Sequence, residues 1–416
     1  MVLRSAPKVF GHGMHRVVTP AETLRRIRPL AWKAGVTRLA DITGLDRIGV
    51  PTWSAVVPKS PDLLSTYNGK GATRTDAACG ALMEAVERHS AIHLRRPTVR
   101  GSYRKMSRQC RTLDPRTISL KLDSGYTGDR VLHWLDAYDI AADEPVKVPA
   151  TAAGYMLYEG YGPPCFDIVT STGLASGNTL EEAICHALCE LIERDAWTLA
   201  DLLTGNGSPE HFERYPEIDL GAADSRIRGM LRQFAKAGLQ PLVKDMTSDV
   251  GVPSIMASSA EETGAIPLAH LGFGAHPDPM VAVSRAISEL AQSRAVDIQG
   301  VREDLSAPDE PVPSYLQHVK RVAEIDRTSW YHCPGRRRRQ WSELGGAVHS
   351  DILDDIRFMV GGLHRAGLDQ VIVVDLTAEE LGVPVVRVFV PGLESWAADH
   401  SRIGHRARAH LRAHAA

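Results

Sequence analysis

The sequence predicts an α+β fold of helices packed on mainly antiparallel sheets, and two internal repeats together with a series of helix-start signals carry that prediction. In the first repeat one helical pattern is written three times. Ala81-Leu82-Met83-Glu84-Ala85-Val86-Glu87-Arg88 reads almost as Ala187-Leu188-Cys189-Glu190-Leu191-Ile192-Glu193-Arg194, and more distantly as Ala286-Ile287-Ser288-Glu289-Leu290-Ala291-Gln292-Ser293-Arg294. Glu84, Glu190 and Glu289 recur at intervals of roughly 100 residues. Three related subdomains, each offering one acidic helix, are therefore expected. In the second repeat Ala237-Gly238-Leu239 leads through an apolar run to Asp245-Met246-Thr247 and Gly251-Val252-Pro253. Ala366-Gly367-Leu368 leads likewise to Asp375-Leu376-Thr377 and Gly382-Val383-Pro384.

Taken along the chain, the elements have local causes. Thr19 and Pro20 open a first helix that contains Thr23. The acidic helices start at Thr75, at Thr179 with Glu182 three residues on, and at Asp278 followed by Pro279, residues that suit a helix's first turn. Each helix of the second repeat ends at a C′ glycine. A strand follows, and a short turn introduces another, over Ser254 to Ala257 and Val385 to Val390. Residues 306–349, with Pro308, Pro311, Pro313 and Pro334, read as a loop or linker. The chain is thus expected to form a single unit over 1–416, with a core at 10–305, that linker, and a C-terminal helix-strand-strand unit and basic tail at 350–416.

A chain of 416 residues, 44% hydrophobic, can bury a large core. Its net charge of -2 argues against a nucleic-acid partner, and Arg336 to Arg339 and Arg402 to Arg412 read as a solvated loop and a frayed helical tail. Neither a signal peptide nor an uncharged membrane-length span is found, so a cytoplasmic protein without a membrane partner is expected. Cys79, Cys110, Cys165, Cys185, Cys189 and Cys333 make no CxxC pair and no disulfide framework, as suits a reducing compartment.

The candidate site follows from the helical period. Glu84 with Glu87, Glu190 with Glu193, and Glu289 with Gln292 each share a face, and Glu182 lies on the side of Glu193. For one helix this would be a solvated face, with a Glu-Arg contact worth under about 1 kcal/mol. Three such helices with few lysines between them would gather like charge, and clustered carboxylates repel unless protonated or bridged by cations. Mg2+, which seeks oxygen and shares its shell with substrate phosphates, is the expected bridge, and with it a nucleoside triphosphate. Asn68-Gly69-Lys70-Gly71-Ala72-Thr73 and Ser171-Thr172-Gly173-Leu174-Ala175-Ser176-Gly177-Asn178-Thr179 place glycines before the first two helices. There backbone N–H groups can approach phosphate, and Lys70 adds a cation. Neither is a Walker loop, since Lys70 is followed by Gly71.

These blocks resemble the YcaO family. Asn68 to Thr73 with Glu84 and Glu87-Arg88, then Gly177-Asn178-Thr179 with Glu182, Glu190, Glu193-Arg194 and Asp195, then Arg285, Glu289 and Gln292 agree with it in order, spacing and residue type. The resemblance implies a three-subdomain α+β fold that binds ATP and Mg2+ without a Walker motif. It also implies a homodimer and phosphorylation of a peptide amide oxygen during azoline, thioamide or amidine formation. By the same resemblance Glu84, Glu87, Glu182, Glu190, Glu193 and Glu289 would hold magnesium ions and the nucleotide. Lys70, Asn178, Arg194 and Arg285 would contact phosphates or adenosine. Arg16 and Thr23 fall where members can place a lysine and a serine that touch ATP. Gly80 departs from the pattern, since serine often stands four residues before the first glutamate.

Amide resonance, visible as a rotation barrier of about 18–20 kcal/mol, makes the carbonyl a poor electrophile and its oxygen a poor leaving group. Phosphorylating that oxygen answers both defects, and the protein's work becomes positioning and charge neutralisation. The sequence assigns no general base. Azoline-forming members commonly end in a proline-rich tail, whereas this chain ends Ala413-His414-Ala415-Ala416. Val388-Phe389-Val390-Pro391-Gly392-Leu393-Glu394, Ile298 to Asp304 and Thr43 to Gly49 resemble instead the subgroup that works with a TfuA-like partner. That resemblance implies a thioamide product, sulfide or another sulfur donor as nucleophile, and a precursor peptide or protein as substrate. Cyclodehydration of Cys, Ser or Thr is the alternative; a non-catalytic peptide-binding module and a structural cation-binding protein are the readings from other classes. Cys185 and Cys189 read as core, and no Zn2+ site is expected, because no Cys or His pair with ligand spacing is backed by a second.

Overall fold

In the computed structural model, which describes all residues except 12–13, 59, 63–64, 95–97, 119, 121–123, 156–169, 206–208, 262–267, 301–328, 400–401 and 415–416, helices pack on antiparallel sheets as the repeats predict. A hairpin of β1 (Val9–Gly11) and β2 (Met14–Arg16) leads into α1 (Pro20–Ile27). Strands β3 (Arg38–Asp41), β4 (Thr52–Val56) and β5 (Thr66–Lys70) pair in chain order, and α2 (Arg74–Ile92) folds back across them. Next come β6 (Val99–Ser102), β7 (Val131–Asp139), β8 (Glu144–Pro149) and β9 (Leu174–Ser176), then the long helix α3 (Leu180–Thr204). Strand β10 (Glu217–Asp219) and α4 (Ser225–Lys236) precede β11 (Leu242–Asp245), β12 (Ser254–Glu261) and β13 (Leu268–Ala275), with α5 (Pro279–Gly300) lying on β12 and β13. The chain continues with β14 (Arg338–Gln340), α6 (Ile352–Arg365), β15 (Ile372–Asp375), β16 (Val385–Phe389) and α7 (His405–His414). Every pairing of named strands is antiparallel except β10 with β14.

The second repeat is a structural one. Helices α4 and α6 stop where Gly238 and Gly367 take φ values of 75° and 77°, a region that costs glycine little. After the strands that follow, Asp245 and Asp375 each accept from the backbone of the threonine two residues on, at 2.9 Å. The Thr247 and Thr377 hydroxyls then accept from Ser254 and Val385 backbone N–H groups at 3.1 and 3.2 Å, fixing where β12 and β16 begin. The two copies enter different sheets. Strands β11 and β12 belong to the order β13-β12-β11-β10-β14, whereas β15 and β16 lie between β7 and β9. Residues near the C-terminus therefore complete a sheet begun by residues 99–176. On its face α3 buries Ile184, Leu188 and Ile192 against Val373, Val386, Val388 and the α6 side chains Ile356, Met359 and Leu363. Burial of this kind is worth about 1.5–3 kcal/mol per large aliphatic side chain. Cys185 and Cys189 sit in that core, as their helix position predicts.

Several local expectations need correction. Thr73, not Thr75, caps α2, because Asp76 closes a capping box with it. Thr179 does cap α3, but the Glu182 carboxylate turns to the backbone of Asn178 and not to that of Thr179. The basic tail is no frayed end: α7 packs along α3, with Ala407 fully buried and Arg406 Nε 2.9 Å from Asp195 Oδ1. In the arginine run, Arg338 and Arg339 form β14 and pair with Glu217 and Asp245, so part of the expected linker is strand. Pro308, Pro311, Pro313 and residues 301–304 lie outside the described residues. No described helix is long and apolar enough to cross a membrane.

Candidate functional site

Helices α2, α3 and α5 converge on one cavity of about 1080 Å³. Every site residue expected from the sequence lines it: Arg16 from β2, Thr23 from α1, Lys70 from β5, Glu84 and Glu87 from α2, Asn178, Glu182, Glu190, Glu193 and Arg194 on and before α3, and Arg285 and Glu289 from α5.

The three repeats build this wall in the same way. In each, the first glutamate folds back on the chain before its helix. Glu84 Oε2 accepts from Asn68 N at 3.0 Å, Glu190 Oε2 from Gly173 N at 3.0 Å, and Glu289 Oε1 from Phe273 N at 3.4 Å. The other oxygen of each faces a cation. Arg88 stands 3.5 Å from Glu84 Oε1 and Arg194 3.6 Å from Glu190 Oε1, each one turn further along its own helix. The third helix has Ser293 at that position, and Lys70, from the strand of the first repeat, pairs with Glu289 instead. Close helix-strand approach makes the geometry possible. A Cβ on Gly69 would lie 2.1 Å from Ala77 O and Ala81 N, and one on Gly274 2.3 Å from Ala282 O. Gly80 faces the same contact, where a Cβ would lie 3.3 Å from Gly69 Cα.

Glu87 and Glu193 lie deeper, 8% and 3% exposed. Burial pushes the Glu87 carboxyl well above its usual range, with Glu84 and Glu190 adding to the effect and Arg88 opposing it. Burial likewise lifts Glu193 to about 7 against the pull of Arg194. Glu84 is raised by burial too, Arg88 again opposing. For Glu289 burial is outweighed by Lys70 and Arg194, and its carboxyl is held below the usual range. Glu182 is different. Its Oε1 accepts from Val17 N at 2.6 Å and its Oε2 from Asn178 N and Nδ2 at 2.6 and 2.8 Å. Thr23 Oγ1 lies 2.9 Å from Asn178 Oδ1. Both Glu182 oxygens are thus engaged by protein donors, which tie β2 and α1 to the turn before α3.

Arginines around these carboxylates keep buried N–H groups without acceptors: Nε and Nη1 of Arg88, Nε of Arg194 and Nε of Arg285. Such orphans are costly unless a ligand or ion completes them. Arg285 Nη2 is 3.2 Å from His186 Nε2, and burial followed by the Arg285 charge drives that imidazole well below its normal range, keeping it neutral. Carboxyls raised by burial beside guanidinium groups with unsatisfied N–H form a donor set of the kind that divalent cations and a polyanion complete. The residues therefore fit Mg2+ and a nucleoside triphosphate. Sequence reasoning left out Arg88, although its place one turn after Glu84 repeats that of Arg194 after Glu190. His186 carries no comparable signal.

A family profile described as YcaO cyclodehydratase, ATP- and Mg2+-binding, matches residues 68–394. An uncharacterized protein of Methanothermobacter thermautotrophicus is 38% identical over 96% of this chain and 100% of its own length. Another, from Rhizobium leguminosarum bv. trifolii and described as lying in the tfuA 3' region, is 34% identical over 91% of this chain and 88% of its own. Among solved structures, YcaO from Methanopyrus kandleri bound with AMPPCP and Mg2+ is 27% identical with a TM-score of 0.72, covering 96% of this chain and 98% of that one. A heterocyclase in complex with substrate and cofactor is 25% identical with a TM-score of 0.77 over 95% of this chain, which spans 54% of the heterocyclase's length.

Proposed function

The chain belongs to the YcaO family of ATP- and Mg2+-binding proteins, and on that premise we propose that it phosphorylates a peptide backbone amide and replaces the amide oxygen with sulfur, working with a TfuA-like partner. The observation that carries the reading is the threefold arrangement around one cavity, in which each leading glutamate has one oxygen on backbone N–H and the other on a cation. Glu84, Glu87, Glu190, Glu193 and Glu289 would hold Mg2+, with Glu182 at their edge through a change of partners. When bound, Mg2+ supplies positive charge against the triphosphate oxygens. Lys70, Arg194 and Arg285 are assigned to phosphates, and Arg16, Thr23 and Asn178 to the nucleoside end.

In the proposed reaction the amide oxygen takes the γ-phosphoryl group of ATP and the amide N–H gives up its proton. Hydrosulfide then adds to the carbon, the C–O bond breaks with release of inorganic phosphate, and the nitrogen regains a proton as the thioamide forms. The protein holds both reactants against a wall of fixed charge, the kind of preorganisation that lowers phosphoryl-transfer barriers. The tfuA-region relative favours sulfur as the entering atom, and the likeness to a heterocyclase favours the second reading, ring closure by a Cys, Ser or Thr side chain.

Titration calorimetry with AMPPCP, with and without Mg2+, tests the site. Magnesium-dependent binding is expected in the wild type and its loss in a folded Glu190→Gln variant. Retained binding in that variant would reject the acidic helices as the nucleotide site. Mass spectrometry of a candidate peptide incubated with ATP, sulfide and the TfuA-like protein separates the products, since oxygen-for-sulfur exchange adds mass and cyclodehydration removes water.

A further inference from the structure

Behind the acidic wall lies a second cavity of about 60 Å³. Three segments contribute to both cavities in alternation. Ser171 and Leu174 line the large one, Thr170 and Thr172 the small one; Glu190 faces the large and Leu191 the small; Trp396 lines the large and Ser395 the small. The two spaces share a wall, and the backbone N–H of Gly173 that holds Glu190 is part of it.

Arg387, in the middle of β16, lines the small cavity and is 5% exposed. Its Nη2 donates to Thr170 O at 3.1 Å, while Nε and Nη1 have no acceptor. No described carboxylate lies within ion-pair distance of it, unlike Arg88 and Arg194 on the other side of the wall, although the charges of Glu190 and Glu87 act on it from there. Burial draws its guanidinium down to about 10, which still leaves it charged at neutral pH. A buried guanidinium with two unsatisfied N–H groups is costly, so a fold that keeps one in mid-strand has a use for it. Thr172 adds a donor: its hydroxyl accepts from Thr170 Oγ1 at 2.8 Å, which leaves its own hydrogen to give. The remaining lining is largely apolar, with Ile118, Leu191 and Phe389, and its one acid, Glu394, has both oxygens engaged by the backbone N–H groups of Gly404 and Ala407 at 2.8 and 2.9 Å. The space suits a small ion and excludes a nucleotide or a peptide.

We infer that Arg387 and Thr172 form a binding site for a small inorganic anion, separated from the nucleotide cavity by the wall that carries Glu190. Two anions of the proposed reaction have this chemistry, the hydrosulfide consumed and the phosphate released. Naming hydrosulfide as the occupant rests on the thioamide reading, whereas the anion site itself stands on Arg387 alone.

The test is thermal unfolding of the full chain in a buffer whose anion is bulky and organic, titrated separately with sodium hydrosulfide and sodium phosphate at constant ionic strength. The wild-type melting temperature is expected to rise with the logarithm of one anion's concentration. Arg387→Gln should weaken that apparent affinity by more than about tenfold, and it removes an unpaired buried charge, so the variant should stay folded. Thr172→Val, which leaves the guanidinium in place, should weaken the response less. A response to hydrosulfide identifies the nucleophile's site, and a response to phosphate alone identifies a station for the leaving product. Equal responses in wild type and Arg387→Gln, or none in the wild type, would overturn the inference. AMPPCP titration of the same samples keeps the two claims apart: absent Mg2+-dependent binding sinks the proposed function and leaves the anion site to be judged on its own melting curves.

Discussion

Burial, with the charges of Glu289 and Glu190 adding to it and those of Arg194 and Arg285 opposing it, lifts the Glu193 carboxyl from the ordinary 4.5 to about 7. A carboxyl raised in the folded state stabilises the ligand-free protein below its unfolded pKa, and that contribution is lost as pH rises from about 4.5 through about 7. Cation binding runs the other way, because Mg2+ must displace the proton. The affinity for Mg2+ with AMPPCP should therefore increase across this interval and level off above it. Calorimetry in buffers of different ionisation heat should detect proton release near pH 6, and Glu193→Gln should reduce that release and flatten the pH slope, the remainder coming from Glu87 and Glu84, whose carboxyls burial also raises. An affinity independent of pH between 5 and 8 would mean that Glu193 is already ionised or is not a ligand.

At the scale of elements, the acidic helices are held by glycine contacts that admit no side chain. Gly69→Ala would set a methyl group 2.1 Å from two backbone atoms of α2, and backbone cannot yield as a side-chain tip can. We expect a loss of about 1–3 kcal/mol or more by denaturant unfolding, with Gly274→Ala behaving alike at α5, whereas Gly44→Ala, which meets nothing within 4 Å, should be nearly silent. Much of this layer is legible in the sequence, since the helix repeat, the Ala-Gly-Leu to Asp-x-Thr repeat and the glycines before the helices are all local patterns. What misled was also local. Thr73 and Thr75 are equivalent by residue type, and the decisive feature is Asp76 standing three residues after Thr73, a capping box in Asp where Glu is the usual sign. The role of Glu182 was hidden for a different reason: one of its partners, Val17, lies 165 residues away, and no period in the sequence points there. The same holds for Lys70, whose pairing with Glu289 spans 219 residues and is explicable only after the missing arginine at Ser293 is noticed.

For the molecule as a whole, the basic C-terminal helix looked like a solvated tail because its counter-charge is 211 residues upstream. Asp195 is fully buried on α3 beside the acidic wall, and Arg406 from α7 grips it with Nε and Nη2 at 2.9 to 3.1 Å, while the Glu394 backbone donates to Asp195 at 3.0 Å. Asp195 is thus engaged by α7 and the chain after β16, and it is not among the residues that line the cavity, although it follows Glu193 and Arg194 in sequence. Burial raises its carboxyl, and Arg406 is the chief restraint on that rise. Arg406→Leu should strand the carboxylate and cost about 3–5 kcal/mol near neutral pH. Because the folded-state pKa then climbs further above the unfolded one, the deficit should shrink in acid and grow as pH rises through that value. Asp195→Leu combined with Arg406→Leu should recover much of the loss, since removing both partners leaves no buried charge. Denaturant unfolding of the three variants at pH 5 and 8 measures this coupling, and AMPPCP titration of the double variant assigns it. Retained Mg2+-dependent binding would make the pair a clamp between α3 and the C-terminal helix; lost binding in a stable double variant would bring Asp195 into the nucleotide site after all.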